Sequence, residues 1–390
     1  MHYMDYAATS AIRPSRVADA VHAFLSGVGA SPGRGGYAPS VESGRVVFRC
    51  RRRIAQLLGL PGDPGRVAFT QNATQALNMA LHGLLKEGDA VLVTPFDHNA
   101  VLRPVHHLSR LRGVEARVVP GAPDGTLDLD ALDRLLPGAR VVVLTAASNV
   151  LGTRLPVAEV ARRAREAGVL VLVDAAQSAG HLPGSHAEEG ADLIAFTGHK
   201  GLLGPQGTGG LWIREGVRID PLLCGGTGGD SALRDMPETL PDRFEAGTPN
   251  APGLAGLLAG CEFLLEEGVD VIHRRESVLK ARLLDGLAGI PGVRLHSPPA
   301  PDGAALALVT SPAMDPADLA HRLEVDWGVL ARSGLHCAPE AHALLGTGQK
   351  GALRVSLGWA STEEDVDRVL EGLDALSRSV HVPVTEVVTS

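Results

Sequence analysis

Two residues that could act chemically, an amine and a carboxylate, stand at the ends of apolar runs. Lys200, one of four lysines in 390 residues, follows the run Leu193–Phe196 in a glycine-bounded turn, TGHKG. Asp174 ends the run Val169–Val173. An aldehyde cofactor such as pyridoxal phosphate needs a lysine for its Schiff base and an acid that keeps the pyridine nitrogen protonated. Lys200 and Asp174 together favour such a site over the plainer alternatives, a solvated loop lysine and a helix cap.

The phosphate of such a cofactor needs backbone N–H and hydroxyl groups at the start of a helix. The segment 69–74 passes from a predicted strand into a predicted helix that Ala73 and Thr74 open. Simple N-capping would also explain its polar residues. Thr197 and His199 flank the lysine and could complete the phosphate site.

Three further polar residues are candidates for contacts with the cofactor ring. Gln177 follows Asp174 by three residues, and Asn149 follows a predicted strand, so either could reach the phenolic oxygen. His98 lies just past another strand, where an imidazole could stack on the ring and act as an acid or base. Most of the 15 histidines are incidental, and we assign surface or packing roles to four others near these motifs: His106, His107, His181 and His186.

A thiol and two arginines are candidates for a reactive nucleophile and for binding the carboxylate of an amino-acid substrate. Cys337 lies in a predicted loop, RSGLHCAP, where the positive charge of Arg332 and His336 would favour the reactive thiolate. Arg354, in GALRVSLG, is the better candidate for a carboxylate clamp and Arg332 the second, because a guanidinium binds a carboxylate with two parallel hydrogen bonds. The remaining cysteines are predicted to be two packing residues in helices and one residue without an assigned role: Cys50, Cys261 and Cys224.

These residues require strands that end at a common edge. Seven apolar runs alternate with helical patterns: 67–70, 90–94, 116–119, 141–145, 169–174, 193–197 and 209–213. Continuous apolar runs are typical of strands buried on both faces, so the alternation predicts a largely parallel sheet with ligands beyond its carboxyl ends. The chain contains no GxGxxG after its first strand and no GxxxxGK[ST], which disfavours a dinucleotide-binding or P-loop protein.

Outside this region the chain predicts helices at 39–58, 254–267, 271–287, 316–323 and 363–376, strands at 304–310 and 353–356, and a loop region at 215–250. A length of 390 residues allows two or three domains. We predict a large domain at 13–245 and a smaller α+β domain formed by 1–12 and 246–390.

Composition excludes several classes of protein. The net charge of -8 and a pI near 6.0 disfavour nucleic-acid and membrane partners, which both need a basic face. Four cysteines without CxxC spacing disfavour a zinc site and a disulfide scaffold. The first residues have no apolar secretory segment, and the apolar stretch at 254–265 is too short to span a bilayer, so we predict a cytoplasmic location and no metal.

These motifs together resemble the cysteine desulfurases, in the class V aminotransferase branch of the fold-type I pyridoxal-phosphate enzymes. The resemblance is carried, in order along nearly the whole chain, by MDYAATS, FTQNATQALN, FDHNAVLRP, ASNVLGT, VLVDAAQSAG, TGHKGLLGPQGTGG, FEAGTPN, RSGLHCAP and GALRVSLG. It implies a fold-type I transferase whose large domain has a mostly parallel seven-stranded sheet and whose small α+β domain carries the thiol loop.

The resemblance implies a role for each candidate. Lys200 would bind the cofactor covalently and move the substrate Cα proton, and Cys337 would take the sulfur. Ring contacts are implied for Asp174, Gln177, Asn149 and His98. Phosphate contacts are implied for Ala73, Thr74, Thr197 and His199, and for Thr227 from a neighbouring subunit. Arg354 would bind the substrate carboxylate.

The implied reaction is removal of sulfur from L-cysteine, giving L-alanine and a persulfide on Cys337, with selenocysteine as a further candidate substrate. A C–S lyase acting by β-elimination and a biosynthetic aminotransferase are the alternatives on the same fold. The presence together of Lys200, Asp174 and Cys337 disfavours a non-catalytic scaffold. The resemblance implies a homodimer. The thiol loop is predicted to be short and ordered, as in the subgroup that often needs a sulfur-accepting protein.

The sequence departs from the family pattern at two positions. Tyr6 replaces the usual Asn, and Ala146 stands where many relatives have His. Residues after Ser377 match no part of the pattern and are predicted to form a mobile tail.

Overall fold

A seven-stranded sheet at the centre of the molecule positions the candidate residues. The structure is a computed structural model that describes residues 1–33, 35–229, 231–299 and 302–379; most of the predicted tail, 380–390, lies outside them. The strands are β1 (His2–Tyr3), β2 (Val67–Thr70), β3 (Ala90–Val93), β4 (Glu115–Val118), β5 (Ala139–Thr145), β6 (Leu170–Asp174), β7 (Leu193–Thr197), β8 (Gly209–Ile213), β9 (Arg294–Leu295), β10 (Leu306–Thr310), β11 (Val329–Leu330), β12 (Arg332–Gly334) and β13 (Ala352–Ser356).

Eleven α-helices connect and cover these strands within the described residues. They are α1 (Ser15–Ala23), α2 (Ala38–Leu57), α3 (Ala73–Leu84), α4 (Asn99–Arg112), α5 (Leu129–Leu135), α6 (Val157–Glu166), α7 (Ala251–Glu267), α8 (Val269–Ala288), α9 (Pro316–Trp327), α10 (Pro339–Leu344) and α11 (Glu363–Ser379). The helices and strands predicted from periodicity are confirmed, with ends that shift by a few residues because caps and turns set them. The stretch 215–250 has neither helix nor strand in its described part, as predicted.

The central sheet has the strand order β2-β8-β7-β6-β5-β3-β4. Strand β8 is antiparallel to both of its neighbours, and the other pairs are parallel, so the predicted fold-type I architecture is confirmed. Because β8 runs antiparallel to both β7 and β2, these two strands run in the same direction. Strand β2 therefore ends at the same edge of the sheet as β3, β5, β6 and β7.

Helices on both faces explain the continuous apolar runs of the strands. Val142 and Leu144 of β5 pack into the core shared with α2, α6 and α7. Val141 and Val143 of the same strand pack into the core shared with α3 and α4. Since side chains alternate between the faces of a strand, a strand buried on both faces must be apolar throughout. Strand β4 lies at the sheet edge and is mostly exposed.

A second, antiparallel sheet has the order β12-β13-β10-β9 and packs with α8, α9 and α11. The N-terminal residues join this part of the chain, because β1 pairs with β11 and Asp5 forms a bridge with Ser356. Helix α7 instead packs against α1 and α2. The domain boundary at residue 245 stays a prediction.

No helix in the described part of the chain is both long enough and apolar enough to cross a bilayer.

Candidate active site

Eleven of the thirteen predicted site residues line one cavity of about 250 Å³ beyond the carboxyl ends of the central strands. These are Ala73, Thr74, His98, Asn149, Asp174, Gln177, Thr197, His199, Lys200, Arg332 and Arg354. They come from five strand ends and from the antiparallel sheet. The cavity therefore lies between the two sheets, where the carboxyl ends of a parallel sheet leave room for a ligand.

Lys200 lies in the turn that follows β7, and the N-terminal segment holds this turn in place. Ser10 Oγ donates to the Lys200 carbonyl oxygen at 2.9 Å, and Ser10 N donates to the His199 carbonyl oxygen at 2.9 Å. Burial, opposed by the Asp174 carboxylate and assisted by the Arg354 and Arg332 guanidiniums, lowers the pKa of Lys200 to about 8. A tenth or so of the amine is then neutral at pH 7, which suits attack on a carbonyl group.

The pKa alone would not single out Lys200. Burial also lowers the pKa of Lys280 to about 8. Lys280 is 2 % exposed and does not line the cavity. The cavity, rather than the basicity of the amine, therefore distinguishes Lys200.

Asp174 ends β6 and places a buried carboxylate at the cavity. Its side chain accepts a hydrogen bond from Ala176 N at 2.9 Å. Burial raises the pKa of Asp174, and the Ala176 hydrogen bond and the charge of Lys200 oppose this rise. The charge of Lys200 compensates this buried carboxylate only in part. A protonated ring nitrogen would therefore bind Asp174 strongly, because each of the two buried charges would then be paired.

A second buried acid, Asp97, forms hydrogen bonds with the ends of two strands next to the cavity. Its Oδ2 accepts from Thr94 N at 2.7 Å and its Oδ1 accepts from Thr145 N at 2.9 Å. Asp97 thus joins the ends of β3 and β5 just before His98. Burial raises its pKa to about 7, against the opposing effect of these two hydrogen bonds.

The opposite end of the cavity suits a phosphate. Helix α3 begins at Ala73 after Asn72, whose side chain accepts from Gln75 N at 3.0 Å. The first-turn amides of Ala73 and Thr74 have no acceptor within the helix. Thr197 Oγ1 is buried without a hydrogen-bond partner. A buried hydroxyl beside a helix N-terminus is the arrangement that an anionic oxygen would satisfy.

Gly209 lets the strands approach closely enough to form this end of the cavity. A Cβ at this position would lie 2.7 Å from Asn72 Cα and 2.8 Å from the Phe196 carbonyl oxygen. Both contacts are with backbone atoms that cannot move aside, so glycine is required where β8 meets the start of α3.

His98 has a fixed tautomer. Its Nδ1 accepts from Ala100 N at 2.9 Å and so caps α4, which places the imidazole proton on Nε2. Burial and the charge of Lys200 lower the pKa of His98 to about 4, so the ring is neutral at pH 7. A neutral ring suits stacking on an aromatic cofactor.

Gln177 and Asn149 line the cavity but also use their amide nitrogens elsewhere. Gln177 Nε2 donates to the Ala7 carbonyl oxygen at 2.9 Å. Asn149 Nδ2 donates to the His336 carbonyl oxygen at 2.7 Å. The first bond connects Gln177 to the N-terminal segment, and the second connects Asn149 to the cysteine loop.

Arg354 is 1 % exposed and carries its charge at the cavity wall. Its Nη2 donates to Asp5 Oδ1 at 2.7 Å and its Nη1 to the Asn149 carbonyl oxygen at 3.1 Å. Its Nε is buried without a partner. Arg354 therefore retains donor capacity for a second carboxylate, such as that of an amino acid.

Cys337 does not line the cavity and is exposed in the loop between β12 and α10. Arg332 connects the two, because it lines the cavity and its Nη2 lies 3.9 Å from Cys337 Sγ. The loop is short, as predicted, and α10 begins at Pro339 directly after it. The buried positions of Cys50 and Cys261 agree with their predicted packing role, and Cys224 is exposed.

Thr227 is the other predicted site residue that the chain does not bring to the cavity. It lines a separate groove of about 580 Å³ together with Phe48, Arg51 and Glu245. The buried Arg51 and the partly exposed Glu245 form an ion pair at 2.7 Å that anchors this loop region.

Three residues at the site had no predicted contact there: Asp5, Asp97 and His336. Asp5 and Asp97 stand within quoted motifs, but only the fold shows that they contact Arg354 and two strand ends. His336 lines the cavity and is 2 % exposed. The signal for His336 was its place next to Cys337, where it was considered only as a positive charge. Burial, with the Arg354 charge, lowers its pKa to about 3, so that expectation is wrong.

The structure agrees with the packing alternative of the prediction for His181, and it adds a polar contact. His181 is buried, and its Nδ1 lies 3.2 Å from both carboxylate oxygens of Glu276 in α8. Burial opposes its protonation, but the Glu276 carboxylate prevails and raises the pKa of His181.

The two departures from the family pattern are buried packing positions. Tyr6 is 1 % exposed, and its ring lies against Gly358, where a Cβ would be 2.3 Å from Tyr6 Cδ1. Ala146 is fully buried, and its amide donates to the Asp174 carbonyl oxygen at 2.9 Å. Neither side chain lines the cavity.

Comparison with known proteins gives a consistent family. Residues 2–369 match the family described as aminotransferase class-V. A probable cysteine desulfurase of Xylella fastidiosa (strain Temecula1) is 35 % identical over 384 residues, 95 % of this chain and 89 % of that protein. A cysteine desulfurase of Enterobacter sp. (strain 638) is 34 % identical, over 95 % of this chain and 92 % of that protein.

Solved structures agree with this similarity. The apo structure of the cysteine desulfurase of Thermococcus onnurineus superposes with a TM-score of 0.90 at 32 % identity, covering 97 % of this chain and 95 % of that one. The cysteine desulfurase CsdA of Escherichia coli superposes with a TM-score of 0.87 at 29 % identity, over 97 % and 95 % of the two chains.

Proposed function

The chain belongs to the class-V aminotransferase family and, within it, to the cysteine desulfurases, and from this premise we propose that it converts L-cysteine into L-alanine and a Cys337 persulfide. One observation carries the proposal beyond family membership. Arg332 lies 3.9 Å from an exposed thiol and also lines the cavity that contains a lysine, an aspartate and a second arginine. A substrate held in this cavity would have its sulfur on the side of Cys337.

We propose pyridoxal 5'-phosphate as the cofactor, because the residues of the cavity fit its groups. Lys200 would bind it covalently, and Asp174 would pair with its ring nitrogen. Its phosphate would be held by Ala73, Thr74, Thr197 and His199, and its ring by His98, Gln177 and Asn149. The unpartnered Thr197 hydroxyl supports this orientation. When bound, the cofactor supplies an electron sink that makes the substrate Cα proton acidic.

The protein's own residues perform the remaining steps. Arg354 binds the substrate carboxylate through donors that Asp5 leaves free, and this fixes the orientation of Cα toward Lys200. The neutral amine of Lys200 accepts the Cα proton, which its lowered pKa favours. The Cys337 thiolate attacks the substrate sulfur, so that a sulfur–sulfur bond forms as the carbon–sulfur bond breaks. The electron pair of the broken bond stays on the substrate carbon, which is protonated to give the methyl group of alanine. Lys200 returns a proton to Cα, so that alanine regains its Cα–H bond.

We propose a homodimer in which Thr227 of one subunit reaches the phosphate site of the other. Exposed apolar side chains on and next to α2 support a contact surface here: Tyr37, Val41 and Phe48 are 59 %, 41 % and 54 % exposed. Phe48 and Thr227 line the same groove. Phe48→Glu should convert the dimer mass, measured by light scattering, to that of a monomer and lower activity; an unchanged mass would contradict this interface.

The short, exposed cysteine loop supports transfer of the persulfide sulfur to a separate acceptor protein. The cytoplasmic location stays a prediction.

The function is tested by product analysis with L-cysteine. The wild type should give equimolar L-alanine and protein persulfide, and Cys337→Ala should give neither while still changing the visible absorbance when L-cysteine is added. Cys224→Ala, which removes the other exposed thiol, is the matched control and should retain full activity. Pyruvate and ammonia as products, or unchanged turnover by Cys337→Ala, would establish a C–S lyase instead. L-Selenocysteine and cystine as parallel substrates define the substrate range.

A further inference from the structure

The loop that carries Cys337 has an unusual backbone. His336 and Cys337 have φ values of 50° and 55°, so two successive residues with side chains adopt the left-handed conformation. Residues other than glycine enter this region at an energetic cost and remain there only when surrounding contacts hold them. The conformation of the thiol loop therefore needs identifiable anchors.

Two anchors act on the backbone of the loop. The His336 carbonyl oxygen accepts from Asn149 Nδ2, and the Cys337 carbonyl oxygen accepts from Asn99 N at 2.7 Å. Both donors belong to elements that line or adjoin the cavity. They fix where the carbonyl groups point, but neither contacts a side chain of the loop.

The third anchor is the His336 side chain, which lies in a buried chain of hydrogen bonds. His336 Nε2 lies 3.1 Å from the Arg332 carbonyl oxygen, and His336 Nδ1 lies 3.1 Å from His342 Nε2. His342 Nδ1 lies 2.7 Å from Thr347 Oγ1. His336 and His342 are 2 % and 0 % exposed, and their rings stack with centroids 5.3 Å apart.

The direction of every proton in this chain follows from its first member. A carbonyl oxygen only accepts, so His336 Nε2 carries a proton and, in the neutral ring, Nδ1 accepts. His342 Nε2 must then donate and His342 Nδ1 must accept. The single proton of the Thr347 hydroxyl therefore goes to His342 Nδ1 and not to the His342 carbonyl oxygen, which Thr347 Oγ1 also approaches at 3.2 Å. Burial lowers the pKa values of His336 and His342 to about 3 and about 4, so both rings stay neutral at pH 7.

We propose that His336, His342 and Thr347 form a positioning chain that holds Cys337 in the left-handed conformation required for attack on the substrate sulfur. This inference rests on the proposed function and assigns to these three residues a role in sulfur transfer rather than in substrate binding. It predicts that loss of the chain slows formation of the persulfide and leaves binding of L-cysteine intact.

The test replaces His342 in the cofactor-loaded enzyme. His342→Phe keeps a ring of similar size but leaves His336 Nδ1 without its donor, whereas His342→Gln retains an N–H that can reach it. Since an unpaired buried acceptor is costly, His342→Phe should lower kcat for persulfide formation about ten-fold or more and change KM less than about two-fold. His342→Gln should recover activity to within about three-fold of the wild type by restoring that bond.

Hydrogen exchange gives a readout that does not depend on activity. The amide of Asn99 bonds to the Cys337 carbonyl oxygen, and the amide of Ala338 bonds to the Leu335 carbonyl oxygen at 2.9 Å. Both amides should exchange faster in His342→Phe, and at the wild-type rate in His342→Gln. Failure of the wild type to form a persulfide would refute the proposed function, whereas unchanged exchange in His342→Phe would refute the positioning chain.

Two other results would overturn the proposal. One is an equal loss of activity in His342→Gln and His342→Phe, since the ring and not its donor would then matter. The other is a parallel loss of the absorbance change on adding L-cysteine, which would indicate a damaged binding site. If His342→Phe does not fold, Thr347→Val is measured instead; it should slow persulfide formation about two- to three-fold, and wild-type kinetics and exchange would overturn the proposal.

Discussion

The low pKa of Lys200 makes a quantitative prediction about loading of the cofactor-free protein. Only a neutral amine attacks an aldehyde, and a pKa of about 8 leaves about 9 % of the amine neutral at pH 7. An ordinary lysine, with a pKa of 10.5, would have about 0.03 % neutral amine, so the neutral fraction of Lys200 is about 300-fold larger at this pH. The rate should rise about ten-fold per pH unit below about pH 7, rise less steeply between pH 7 and 8, and then level off.

Two variants should move this midpoint in opposite directions. The Arg332 guanidinium lowers the pKa of Lys200, so Arg332→Met should shift the midpoint to higher pH. The Asp174 carboxylate raises that pKa, so Asp174→Asn should shift the midpoint to lower pH while weakening cofactor binding. Lys86→Met, which removes an exposed lysine paired with Asp220, is the matched control and should leave the midpoint unchanged.

The assay mixes cofactor-free protein with pyridoxal phosphate between pH 6 and 9.5 and follows the visible band of the covalently bound cofactor. Borohydride reduction and peptide mapping identify the lysine. A wild-type midpoint near pH 10, a shift of both variants in the same direction, or label on Lys280 would contradict a lowered pKa of Lys200 set by these charges.

Substitutions at three places test contacts within and outside the site: at Arg354, at the Arg51–Glu245 pair and at Asp97. Arg354→Lys keeps the charge but loses the planar guanidinium, so KM for L-cysteine should rise about 10- to 100-fold with a smaller change in kcat. An unchanged KM in steady-state kinetics would exclude a role of Arg354 in binding the carboxylate. Asp5→Asn shows how much the ion pair between Asp5 and Arg354 contributes to KM. Arg51→Met removes both hydrogen bonds that Arg51 donates to Glu245, which keeps its bond from Phe69 N, and should cost about 1–3 kcal/mol, seen as a lower Tm. The double variant with Glu245→Met should restore only part of this loss, because Phe69 N then loses its acceptor. Asp97→Asn turns an N–H donor toward one of two backbone amides and should cost about 1–3 kcal/mol; an unchanged Tm would show that the strand ends do not depend on this acid.

Periodicity and turn residues were enough to predict most of the helices and strands. The runs 141–145 and 169–174 were predicted to be strands buried on both faces, and β5 and β6 confirm this, because a strand covered by helices on both sides has no polar face. The ends of elements were less accurate. The predicted strand 304–310 begins only at Leu306, since the start of a strand depends on its partner as well as its own residues.

Some site residues could be predicted from the sequence and others could not. Lys200 and Asp174 could be identified because each ends an apolar run, and parallel strand ends must share an edge. Asp5 could not, because its role depends on Arg354, 349 residues away. The chemistry of His336 was misjudged, since burial decides whether an imidazole can carry charge and the sequence does not show burial.

Local periodicity and the order of the motifs were thus enough to predict the sheet, the family and the set of reactive groups, because both depend on neighbouring residues. The folded chain was needed to show which of these groups share a cavity, which protonation states they adopt, and how the thiol loop is held. Those properties depend on contacts between distant segments and on the exclusion of water, such as the pairing of Arg354 with Asp5 and the buried hydrogen bonds behind Cys337.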